Sequence, residues 1–168
     1  HIFNTDTFRQ IAINPEYQAH RERVLYAFSR LDDVAEMEGN YFVFAHIVSP
    51  HPPFVFDEMG GEMTPNLTYT LADGDNYLGS QEDYIESYRN QVIFVNNQLQ
   101  TVIDQILTKS DQAPIIIIQA DHGPGAFLVW DSPYETDLEE RFGILNAYYF
   151  PGGDEGWLYP SITPVNNF

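Results

Sequence analysis

No cysteine occurs among the 168 residues, which excludes a disulfide framework, a thiolate nucleophile and an iron–sulfur site. Basic side chains are nearly as scarce: 7 Lys and Arg stand against 25 Asp and Glu, for a formal charge of -18. The cations that would neutralise a phosphate backbone are missing, so the composition argues against a nucleic-acid partner. The lone lysine, Lys109, lies in no glycine-rich loop, which excludes a Walker-type nucleotide cradle. Long hydrophobic runs are absent too. Runs such as residues 41–45 and 115–118 fall far below the roughly 20 residues a membrane span needs. Nor does His1-Ile2-Phe3-Asn4-Thr5-Asp6 read as a secretion signal, so neither a signal nor a transmembrane segment is expected in this chain. What is present is 43% hydrophobic and 15% aromatic residues. That suffices for one core and is too little for two ordinary domains, so residues 1–168 are read as a single domain.

Asn14-Pro15-Glu16 supplies a helix cap, a first-turn proline and an acid at the positive helix end. Val24, Leu25, Phe28, Leu31 and Ala35 follow at helical spacing, and Gly39 ends the segment. Residues 41–48 form an almost continuously apolar run rich in aromatic and β-branched side chains, which reads as a strand buried on both faces. Residues 57–80, acidic and glycine-containing without a sustained period, read as a long surface excursion. From residue 82 to 109 the positions Ile85, Tyr88, Val92, Val95, Leu99, Val102, Ile103 and Ile106 keep to one face, with Ser80 as the cap. Residues 115–120 and 142–150 read as further strands.

Strand, long helix and strand in succession predict a βαβ crossover, hence α/β architecture with a mostly parallel sheet flanked by helices, an αβα sandwich. Ligands of such sheets bind beyond the carboxyl ends of the strands. Here those ends run into Ser49-Pro50-His51-Pro52 and Asp121-His122-Gly123, which predicts that His51, Asp121 and His122 share one rim. An aspartate and a histidine side by side where a strand leaves the sheet can both aim at one divalent cation. Each motif also has an ordinary reading, Asp121 as a turn cap and His51 packed on proline rings. His20 and His46 read as structural, His46 in or beside a buried sheet, and Arg141 as half of a surface ion pair.

The order His51-Pro52-Pro53-Phe54, long helix with Tyr88-Arg89 near its start, apolar strand, Asp121-His122-Gly123 resembles the carboxyl-terminal half of the alkaline phosphatase superfamily over residues 40–153. Within it the likeness is nearest to sulfatases and to lipoteichoic acid synthase-type phosphoglycerol transferases. The resemblance implies an incomplete alkaline phosphatase-like fold, with Asp121 and His122 as ligands of a catalytic divalent metal and His51 as the catalytic-site contact to substrate phosphate or sulfate. It also implies an extracytoplasmic location, with membrane attachment only through other parts of a larger parent. The family's nucleophile and a further acidic ligand follow a strand in the amino-terminal half, an arrangement that residues 1–40 lack. The chain is therefore read as an excised carboxyl-terminal part of a larger sulfatase-like catalytic domain, inactive by itself.

Two-metal members need a histidine well downstream, and none follows His122. One divalent metal is expected in the intact protein: manganese, magnesium, calcium or zinc. Arg141 is the only base after Lys109, which weighs against an ordinary sulfatase, since these place a lysine beyond the metal aspartate. The implied function is hydrolysis or transfer at a phosphate or sulfate ester. The competing class is a non-catalytic acidic α/β domain that uses residues 57–83 to bind a protein partner or calcium. The sequence leaves the oligomeric state open.

Overall fold

A computed structural model describes residues 14–65, 67–153, 156, 158–159 and 162–163. The amino-terminal residues read above as no secretion signal lie outside the described residues. Helix α1 spans Pro15–Arg30, with Asn14 Oδ1 accepting from the Glu16 N–H, and a 3-10 turn continues it over Leu31–Glu36. Helix α2 spans Gln81–Lys109 and is capped by Ser80, whose hydroxyl oxygen accepts from the Asp83 N–H. Both caps satisfy donors that the first helical turn leaves free. No helix among the described residues is long and apolar enough to cross a membrane.

The core lies between the helices. Tyr17, Val24 and Phe28 of α1 and Phe94, Val95 and Val102 of α2 close over Val55 and Phe56, and the Phe56 and Phe94 rings stack at 4.3 Å. Helix α2 is turned slightly from the face its apolar pattern predicts. Tyr84, Gln91 and Phe94 are buried, whereas Ile85 is exposed. Lys109 pairs with Asp32 at 2.6 Å and tethers the end of α2 to the 3-10 turn.

The predicted mostly parallel sheet flanked by helices is not found. Among the described residues the one ladder joins strand β1, Ile116–Gln119, to strand β2, Asn146–Tyr149, and it is antiparallel, with Ile117 opposite Tyr148. Helix α3, a single turn over Leu138–Phe142, lies on the connection between them. Residues 41–48 form no ladder with any of the described residues. Phe42 and Phe44 are 79% and 76% exposed, and His46 is exposed beside the Phe44 ring rather than inside a sheet. The physical reason is pairing. A run apolar on both faces has the composition of a central strand, but composition cannot supply the neighbouring strands whose amides and carbonyls it needs. Among the described residues no parallel neighbour is found, so the crossover on which parallel pairing rests is not formed there.

Candidate functional site at the His51–His122 rim

Two turns bring the predicted residues together. The first follows residues 41–48 and carries His51. Helix α2 fixes it through Gln91, which is wholly buried. Gln91 Oε1 accepts from the N–H groups of Val55 and Phe56 at 2.8 and 3.3 Å, and its Nε2 donates to the His51 carbonyl at 3.3 Å. One side chain thereby satisfies three main-chain groups that the core would otherwise leave bare. From the other side Arg21 stacks on the Phe56 ring at 4.5 Å and donates to the carbonyls of Val55, Gly60 and Gly61.

The second turn follows β1 and carries Asp121 and His122. Gly123 N–H donates to the Arg141 carbonyl at 2.7 Å, and Arg141 Nη1 donates back to the Gly123 carbonyl at 3.0 Å. This close approach requires glycine: a Cβ at position 123 would stand 2.0 Å from the Glu140 carbonyl oxygen.

Beneath the turn lies a polar cluster that sequence reasoning missed. Asp73, 3% exposed, accepts from the Tyr84 hydroxyl at 2.6 Å and from Arg141 Nη1 at 2.9 Å. The Tyr84 oxygen in turn accepts from the Gly125 N–H at 2.8 Å, and the Trp130 indole donates to the Asp73 carbonyl at 2.8 Å. Burial pushes the Asp73 carboxyl up, but the Tyr84 hydroxyl, Arg141 and the Gly74 N–H together hold it below the usual carboxylate range. Burial, then Asp73, drives the Tyr84 phenol well above its ordinary value, so it stays a donor. Arg141 is thus the half-buried partner of a buried carboxylate, not half of a surface pair, and Asp73 belongs to the interior although it sits in the segment read as a surface excursion.

At the rim itself the His51 and His122 rings lie 6.1 Å apart, edge to face. Each ring is oriented the same way. His51 Nδ1 meets the Pro52 carbonyl at 2.7 Å and His122 Nδ1 meets the Gly123 carbonyl at 2.8 Å. A carbonyl can only accept, so both Nδ1 atoms carry the proton, and in the neutral rings the lone pair falls on Nε2. That is the orientation seen when a histidine is prepared as a ligand. His122 Nε2 lies 3.7 Å from Asp121 Oδ2, with the Asp121 side chain largely exposed. The couple can share a cation through one nitrogen and one oxygen. Among the described residues no three His, Asp or Glu side chains gather closely enough to hold a metal by themselves, so the donor set fits part of a site.

The polar residues beneath the rim, Asp73, Tyr84, Gln91 and Arg141, share no local motif. Only Gln91 left a trace, as a lone amide at the spacing of its buried neighbours Tyr84, Phe94 and Val95 on α2. Comparison with protein-family models, with curated proteins and with solved structures finds no match for this chain.

Proposed function

We propose that this chain carries the metal-binding portion of a hydrolase or transferase acting on phosphate or sulfate esters. The parent works outside the cytoplasm, anchored to a membrane by parts other than these residues. The supporting observation is the 6.1 Å approach of His51 to His122, two imidazoles with their Nδ1 atoms tied to backbone carbonyls. Asp121 and His122 hold one divalent cation, which when bound offsets charge on an ester oxygen and lowers the pKa of an attacking hydroxyl. His51, in its protonated form, donates from Nε2 to the anion as negative charge builds. The formal charge of -18 repels such anions, so binding depends on that local positive centre. With two cation ligands and, among the described residues, no strand-end nucleophile, this portion is inactive alone. The reading of residues 57–83 as a partner or calcium site is less favoured, because two of their carboxylates already serve the fold. Asp57 accepts from the N–H groups of Met59 and Gly61, and Asp73 pairs with Arg141.

Titration of the isotopically labelled chain with Mn²⁺, followed by paramagnetic broadening, tests this. Asp121 and His122 signals are expected to broaden first, Asp121→Asn to weaken the effect about ten-fold or more, and inorganic phosphate to move His51 signals only when a divalent cation is present, with diamagnetic Mg²⁺ replacing Mn²⁺ in that arm. Broadening spread evenly over the acidic surface and indifferent to Asp121→Asn would refute the assignment.

A further inference from the structure

The connection between β1 and β2 folds into a lobe that leaves large apolar side chains in water. The Asp137 N–H donates to the Phe127 carbonyl at 3.1 Å, the Phe127 N–H to Glu140 Oε2 at 3.0 Å and the Val129 N–H to the Thr136 hydroxyl at 3.0 Å. Two side chains fasten the lobe to the body of the protein: the Trp130 indole donates to the Asp73 carbonyl at 2.8 Å, and Gln81 Nε2 to the Ala126 carbonyl at 2.7 Å. Yet Trp130 remains 54% exposed, Tyr134 98% and Phe142 72%. A large ring held in place while wet, as Trp130 is, loses little freedom when something covers it, and aromatic side chains of this kind anchor protein interfaces.

The charge interleaved with these rings is of one sign. Trp130-Asp131, Tyr134-Glu135 and Leu138-Glu139 repeat an apolar–acidic couple every four residues, and all six residues are exposed. None of the ion pairs among the described residues involves these three acids. Arg141, the one base in residues 127–142, is already engaged by Asp73. Charge therefore selects the occupant. Nucleic acids and the common membrane surfaces are anionic and are repelled. A second copy brings a formal charge of -18, and its Arg21, Arg30, Lys109 and Arg141 are engaged within its own fold. A polypeptide that interleaves lysine or arginine with apolar residues matches both the rings and the carboxylates.

We propose that residues 127–142 form a docking surface for a basic amphipathic segment of a partner protein, its apolar side chains packing on Trp130, Tyr134 and Phe142 and its cations meeting Asp131, Glu135 and Glu139. The surface stands independently of any metal at Asp121 and His122.

The experiment follows the isotopically labelled full chain by NMR as a synthetic amphipathic leucine–lysine peptide is added. Saturable shifts centred on residues 127–142 and the Trp130 indole are expected, weakening as salt is raised. Tyr134→Ser with Phe142→Ser, both on exposed side chains, should weaken binding about ten-fold or more without moving the urea midpoint. Asp131→Asn, Glu135→Gln and Glu139→Gln together should weaken it about ten-fold, whereas neutralising the exposed Glu38, Glu58 and Asp111 instead should leave it unchanged. Polylysine, which lacks the apolar side chains, and a leucine–glutamate peptide should each bind at least about ten-fold more weakly. Shifts spread over the whole acidic surface, equal losses from the two neutralised sets, or polylysine binding as tightly as the leucine–lysine peptide would overturn the proposal. So would a preference of the same residues for phosphatidylglycerol vesicles or for a second copy of the chain.

Discussion

Arg141 and Asp73, 68 positions apart in the chain, meet at 2.9 Å in a site where their side chains retain 13% and 3% of their accessible surface. The pair joins the segment before α2 to the turn after β1, because the same guanidinium also donates to the Gly123 carbonyl. The position of Asp121 and His122 therefore depends on an ion pair that includes neither.

Breaking the pair from one side leaves a buried charge uncompensated. Arg141→Ala is expected to cost about 3–5 kcal/mol of stability, measured by urea unfolding, and to shift the His122 imidazole signals. An apolar pair, Asp73→Leu with Arg141→Met, should recover much of the stability without restoring those signals, since the bond to the Gly123 carbonyl is still missing.

Gln91→Leu preserves side-chain bulk and removes all three hydrogen bonds to residues 51–56. Each buried main-chain group left without a partner costs about 1–3 kcal/mol. Equilibrium unfolding should show a loss at the upper end of single-residue effects, and amide exchange at Val55 and Phe56 should accelerate.

Gly123→Ala places a methyl group against the Glu140 carbonyl, which is backbone and cannot rotate away. Overpacking of this kind costs about 1–3 kcal/mol. Chemical-shift changes should concentrate on residues 121–125 and 138–142, with little change in the α1–α2 core.

His20 makes acid the direction of weakness. Burial, Arg23 and His51 hold its pKa below the ordinary 6.5, so the unfolded chain binds the proton more readily than the folded one. The stability this contributes is complete above pH 6.5 and is lost as pH falls through the lower folded value. The opposing Val48 backbone reduces the effect without reversing it, and the Tyr69 hydroxyl sits at the other ring nitrogen. Unfolding free energies measured between pH 5 and 7.5 should fall toward acid less steeply in His20→Gln than in the wild-type chain.

How far each feature can be read from the sequence follows the range of the forces involved. The helices are legible because their signals are local: Asn14 and Ser80 cap them, and the apolar side chains repeat within a turn or two. The two rim turns are legible as punctuation after apolar runs. A parallel sheet predicts their approach in space, and the one sheet among the described residues is antiparallel, so the rings lie close together for a different reason. Strand direction is not legible, because residues 41–48 and β1 have the composition of paired strands and composition says nothing about which neighbour is there. Asp73, Gln91 and Arg141 find their partners through the fold alone, and an aspartate in an acidic segment looks the same whether buried or bathed in water.

Residues 41–48 have a practical consequence. The Phe42 and Phe44 rings stand largely in solvent, with Tyr41 and Val43 about half exposed beside them. An exposed apolar patch of this kind is an aggregation liability. Solutions of the chain should therefore turn cloudy as they are concentrated, and lysine at positions 42 and 44 is the natural remedy.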